Sequence, residues 1–280
     1  MNQKFYSRKN KRDFLIIPFC LLIAVLLNCT YGQSSRQAEE YFNRGLELQK
    51  AGRYDEAVDE FTKTIKHNPE YARAYFRRGN CYAKQRKFDE AITDFSAAIK
   101  IDPEDANAYY NRASVYNDRE KPELAVADYT KAIKLQPEFA NAYFNRAQVY
   151  RKQQEFKSAY EDFTKVIELN PYEPEAYVVR ADAGSRLRRY DQAIADASTA
   201  IELDPALANA YTVRGDAYAY LRKYDRAISD FTAAIQLKPN EKLNYSYRAF
   251  AYCQQQQKAL AALDEKRAIE LGGSLIEKCQ

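Results

Sequence analysis

Six prolines, Pro69, Pro103, Pro137, Pro171, Pro205 and Pro239, stand 34 residues apart. A fixed period of this length restricts the chain to tandem supersecondary units, each burying its apolar face against the next copy. With each proline as position 32, units begin at Ala38, Ala72, Ala106, Ala140, Pro174, Ala208 and Lys242. Position 4 is then tyrosine throughout, from Tyr41 to Tyr245. Position 8 is Gly or Ala in every unit, and position 20 is Ala in all seven.

Positions 4, 8 and 11 share one face of a helix, and positions 20, 24 and 27 define the apolar face of a second. Small residues at 8 and 20 let the two helices approach closely, and an aromatic at 24 fills the space beside them. A residue preceding proline is pushed out of the α region, so the second helix is expected to stop at each periodic proline. Pro122, at the start of its unit's second helix, suits the first turn.

This pattern of aromatic, small, Tyr, Ala, Phe, Ala and Pro resembles the tetratricopeptide repeat (TPR). The resemblance implies an all-α fold, a right-handed superhelical solenoid of seven helix-turn-helix units at 38–71, 72–105, 106–139, 140–173, 174–207, 208–241 and 242–273, followed by a short tail at 274–280. The fifth unit departs from the family pattern with Gly184 at position 11 and Ala197 at 24. The seventh has Glu265 at 24 and Gly273 where proline would fall, as suits a terminal unit with no neighbour to bury that face.

Two charged columns run through the repeats. Position 7 is Arg in all seven (Arg44, Arg78, Arg112, Arg146, Arg180, Arg214, Arg248), and position 23 is acidic in all seven (Glu60, Asp94, Asp128, Asp162, Asp196, Asp230, Asp264). They read either as a charged ladder for a ligand or as pairs joining the two helices of each unit. Their one-to-one match beside the packed faces favours pairing.

On the first helix, positions 2, 5, 9 and 12 cluster in angle, with 6 and 13 beside them. In proteins of the TPR family that face lines a concave groove. Phe42, Phe76, Tyr110 and Phe144 at position 5 are the candidate anchors for a partner's side chains. Asn43, Asn111 and Asn145 at position 6, with Asn80 at position 9, are the candidate amides for its main chain, since Asn carries both a donor and an acceptor. The asparagine column is similar to the amide ladder of O-linked N-acetylglucosamine transferase, although Tyr and Asn are also average choices of the family there. Beyond the fourth repeat the columns become Val178, Thr212, Ser246 and Val179, Val213, Tyr247, a plainer surface. Repeats that clamp the C-terminal carboxylate of Hsp70 or Hsp90 place Lys at position 5 and Asn at 9 of the first repeat. Phe42 and Leu46 stand there instead, which argues against that adaptor role.

Catalysis finds little support. The single histidine, His67, falls near the end of a second helix, where the helix dipole favours a cation. There is no glycine-rich phosphate loop and no cysteine pair at metal-ligand spacing. Carboxylates are spread over periodic positions rather than gathered for acid–base work. No enzyme activity, metal or small-molecule cofactor is expected. Five basic side chains against Asp13 in the first 32 residues account for the whole net charge of +4, so the repeats are electrically balanced. A phosphate-tracking groove would need uncompensated Lys and Arg, so nucleic acid is not an expected partner.

Residues 1–32 read as an address. A basic start precedes the apolar run Phe14–Leu27, which is short for a bilayer span and of the length of a secretory signal core. Thr30-Tyr31-Gly32 offers small residues for cleavage before Gln33. Leu26-Leu27-Asn28-Cys29 also resembles a loose bacterial lipobox with Cys29 as the acylated residue, and an uncleaved anchor is the third reading. All three place the repeats outside the cytoplasm, with membrane contact only through this segment or a lipid on Cys29. Cys81 and Cys253 read as small buried thiols, with a Cys253–Cys279 bridge as the alternative for the second. The expectation is an exported, non-enzymatic protein-interaction scaffold that binds an extended segment of a partner in the groove of repeats 1–4. The alternatives are a lipid-anchored envelope assembly factor, a holdase-like chaperone of a secretory compartment, or self-assembly through the terminal helices.

Overall fold

The computed structural model describes residues 34–273, and every element among them is helical or a turn. Helix α1 covers 34–50. It is followed by α2 (Tyr54–His67), α3 (Ala72–Lys84), α4 (Phe88–Ile101), α5 (Ala106–Asp118), α6 (Pro122–Leu135) and α7 (Ala140–Lys152). Then come α8 (Phe156–Leu169), α9 (Pro174–Arg186), α10 (Tyr190–Leu203), α11 (Ala208–Tyr220), α12 (Tyr224–Leu237), α13 (Lys242–Gln254) and α14 (Lys258–Glu270). Two compact units divide this series, one ending at Arg119 and one beginning at Glu120. The signal-like segment, Cys29, Cys279 and the tail lie outside the described residues. Among the described residues no helix is long and apolar enough to cross a membrane.

Each periodic proline ends a helix as its stereochemistry requires. Asn68, Asp102 and Asp204, the residues before Pro69, Pro103 and Pro205, are extended, with φ of −141°, −124° and −140°. Pro122 opens α6, where its missing N–H costs no helical hydrogen bond. Between the two helices of a repeat the chain reverses through position 15 in the left-handed region. Gly52 holds that conformation in the first repeat, but Arg86, Glu120, Gln154, Arg188, Arg222 and Gln256 hold it in the others, at φ of 55–62°. The amides around each such residue close the helix end, as when Gln154 N–H donates to Arg151 O and Glu155 N–H to Tyr150 O.

Within the unit ending at Arg119, α3 packs on α4 and α4 on α5. Phe42, Phe61, Ala57, Ala74 and Cys81 form one core cluster there, and Ala91, Phe95 and Val115 another. Position 8 is small because the ring at position 24 lies against it. A Cβ on Gly79 would stand 2.9 Å from Phe95 Cε1. In the second unit the same layer is built from Ala147, Ala159 and Phe163, and further on from Ala227, Phe231 and Ala251. One departure of the fifth repeat is filled from the fourth. Tyr160 of α8 lies over Gly184 and caps the Arg180 guanidinium at 5.7 Å, taking the place of the missing tyrosine at position 11.

Candidate functional site

The charged columns are structural fasteners. Arg146 donates from Nε and Nη2 to the two carboxylate oxygens of Asp162, each at 2.8 Å, and from Nη1 to Thr130 Oγ1 at 2.8 Å. Its guanidinium also lies between the rings of Tyr143 and Tyr150. One side chain thus joins a first helix to its own second helix and to the second helix of the preceding repeat. Arg78, Arg180, Arg214 and Arg248 repeat the pattern with Asp94, Asp196, Asp230 and Asp264. Thr62, Thr164, Ser198 and Thr232 supply the hydroxyl. Burial pulls the Arg146 guanidinium's pKa down, but the hydrogen bond and charge of Asp162 outweigh it and leave it raised. The first repeat departs: Glu60 bonds Lys63 instead, at 2.6 Å, and Arg44 is exposed. Arg44 has no hydroxyl of an earlier second helix to engage among the described residues.

The groove positions divide between core and surface. Phe42 is 1% exposed, packed against Phe61 and Tyr71 with ring centroids 5.7 and 4.9 Å away. It is therefore not an anchor for a partner, contrary to the expectation, because its ring is spent on the core of its own repeat. Phe76 and Phe144 lean the same way, onto Phe95 and Phe163 at 6.0 and 5.6 Å, and keep only part of each ring exposed. Tyr110 is half-buried.

The amides behave differently. Asn111 Nδ2 donates to Asn80 Oδ1 at 2.7 Å, bridging α5 and α3. Both line a cavity of about 460 Å³ in the first unit, together with Gln49, Lys84, Ser114 and Asp118. That bond leaves the Asn80 Nδ2 donor and the Asn111 Oδ1 acceptor with no other protein partner among the described residues. Asn43 is exposed on α1 outside this lining, and Asn145 is half-buried on α7 in the second unit.

The second unit is not the plainer surface its position 5 and 6 columns suggest. Position 9 carries Asp182 and Asp216, and Arg151 and Arg186 stand at positions 12 and 13. All four line one cavity of about 420 Å³ with Val178, Val213 and Tyr247. Arg151 Nη1 lies 3.4 Å from Asp182, and Arg186 Nε lies 3.8 Å from the same carboxylate. Their signal in the sequence is the pair of acids at position 9 of the fifth and sixth repeats, the column that carries Asn80 in the second.

Two residues with chemical potential are placed structurally. His67 stacks on Tyr41 at 5.5 Å in the last turn of α2. Cys81 is fully buried, and burial pushes its thiol up to about 11.

Tetratricopeptide repeat models match residues 42–106, 106–139, 140–173, 174–207 and 208–241 without a gap. The chain is a tetratricopeptide repeat protein. Solved TPR structures agree. YrrB, described as a TPR protein with an unusual peptide-binding site, is 26% identical with a TM-score of 0.62, covering 66% of this chain and 95% of its own. A TPR protein from Parabacteroides merdae is 24% identical, with a TM-score of 0.62 over 85% of this chain and 94% of that one. The C-terminal part of a TPR protein from Cytophaga hutchinsonii is 20% identical, with a TM-score of 0.69 over 82% and 95%. No curated protein matches the chain. As a TPR protein it has a protein-interaction fold, and the first-helix faces are its candidate binding surfaces.

Proposed function

We propose that this TPR protein is a non-enzymatic scaffold that holds an extended peptide segment of a partner against its first-helix groove face, outside the cytoplasm. The Asn80–Asn111 bridge carries this reading. It presents one amide donor and one amide acceptor beside a 460 Å³ cavity, the complement of the N–H and C=O of a peptide unit. A likeness to YrrB, itself a peptide-binding TPR protein, supports the same mode. The basic, then apolar start of the chain supports export, by cleavage before Gln33 or by acylation of Cys29. Electrical balance over the repeats supports a protein rather than a nucleic acid as the partner.

Selection of a random peptide library on the immobilised full chain tests the proposal. Enriched peptides should bind the wild type and lose at least tenfold in affinity for an Asn80→Ala/Asn111→Ala variant whose melting curve is unchanged. Equal binding to both would remove the amide pair from the site. Enrichment of unrelated apolar peptides with no shared sequence would favour the holdase reading instead.

A further inference from the structure

Asp216 sits where three cavities of the second unit meet. It contributes to the 420 Å³ groove cavity, to one of about 240 Å³ beside Arg186, Arg188 and Tyr190, and to one of about 280 Å³ walled by Tyr220, Tyr224, Phe231, Tyr247 and Phe250. Yet it makes no hydrogen bond or ion pair among the described residues. Its natural cations are committed elsewhere, because Asp182 takes both Arg151 and Arg186. Tyr220 is held upright by stacking on Tyr190, with centroids 5.0 Å apart and planes within 11°.

We propose that this pocket receives the ammonium group of a lysine side chain from the partner segment, with Asp216 as counter-ion and Tyr220 and Tyr247 as walls. The inference rests on the scaffold reading above and adds the chemistry of one partner residue. A half-buried carboxylate with no bonded counter-charge, set among aromatic side chains, is matched by a cation on an apolar stem. The rings attract positive charge through their π faces, and the pocket walls cover the methylenes. Lysine fits better than arginine. Its compact charge is met by one carboxylate, whereas five guanidinium donors would need more acceptors than this pocket supplies.

The titration of Asp216 is governed first by its burial. Burial raises its carboxyl to about 6, Arg186 acts to lower it, and Asp182 raises it further. Burial also raises Tyr247, with the charge of Asp216 adding to the effect. Arg188 and Arg222 are the remaining charged groups of the three linings, and both are exposed.

Two measurements on the full chain test the pocket. The first follows the Asp216 carboxyl carbon by NMR during titration with n-butylammonium chloride, against sodium chloride at equal ionic strength. Butylammonium should move the Asp216 midpoint from about 6 towards the ordinary carboxylate range and shift the Tyr220 and Tyr247 ring signals. Sodium should do neither. The second repeats the peptide selection on wild type and on Asp216→Asn, an isosteric change checked for folding by its melting curve. Wild type should enrich a lysine at one fixed position, and the variant should lose that preference at least tenfold while still enriching peptides. Peptides without a preferred lysine, together with an unmoved midpoint, would overturn the pocket and leave the scaffold reading intact. A moved midpoint with no peptides enriched would keep the ammonium site and overturn the scaffold reading.

Discussion

Replacing Arg146 with alanine removes more than one surface ion pair. The Arg146 and Asp162 side chains are 14% and 9% exposed, so Arg146→Ala leaves a carboxylate largely shielded from water with its counter-charge gone. It also frees the Thr130 hydroxyl and empties the slot between Tyr143 and Tyr150. Breaking one side of a buried, bidentate pair costs about 3–5 kcal/mol, against roughly 0–1 for an exposed pair. For a chain of this size each kcal/mol moves Tm by about 2–4 °C, so a fall of roughly 6–20 °C is expected by scanning calorimetry. Asp162→Ala should cost a similar amount by stranding the guanidinium. The double mutant should show a coupling of about 2–3 kcal/mol, the upper range for contacting residues. Arg44→Ala provides the internal control, since Arg44 is exposed and Glu60 bonds Lys63 instead; its Tm should barely move. Equal effects of Arg44→Ala and Arg146→Ala would refute the fastener argument. So would a normal Tm for Arg146→Ala accompanied by lost peptide binding.

Other predictions follow from particular residues. Gln154→Gly should raise stability by about 1 kcal/mol in chemical denaturation, because Gln154 holds φ of 61° that costs an L-residue about 1–2 kcal/mol; Gly52→Ala, at φ of 75°, should lower it by a similar amount. Between pH about 4 and 6 the unfolded chain has released the Asp216 proton while the folded chain keeps it, so this group's contribution to stability falls as pH rises across that window. Asp216→Asn should therefore raise Tm at pH 7.5 and leave it unchanged at pH 4. Cys81, with its thiol pushed to about 11 by burial, should resist iodoacetamide at pH 8 in the native protein and react fully in guanidinium, as read by peptide mapping.

The fold was legible because the proline period and the small and aromatic columns carry both helix ends and both packed faces. The arginine fastener was half legible: Arg146 and Asp162 are matched columns, but the hydroxyl at Thr130 belongs to the preceding repeat, and nothing in a single repeat announces it. The exception at Arg44 follows from the same geometry, since the first repeat has no earlier second helix to meet among the described residues. Phe42 departs from its expected place because position 5 borders both the groove and the inter-helix core, and an aromatic there meets the aromatic at position 24. The partly legible site is Asn80 with Asn111, which lie 31 residues apart and are brought together only when α3 and α5 align. The Asp216 pocket depends on where Arg151 and Arg186 send their charge, a choice of rotamer and spacing that residue types alone do not reveal.

Site-directed photo-crosslinking tests the scaffold account most directly. A benzoyl-phenylalanine in place of Lys84, on the rim of the amide-lined cavity, is compared in the native cell with one in place of Glu90, exposed on the neighbouring second helix. The account predicts a discrete protein adduct from position 84 that disappears in the Asn80→Ala/Asn111→Ala background, and none from position 90. No adduct at position 84, with or without one at 90, would contradict it.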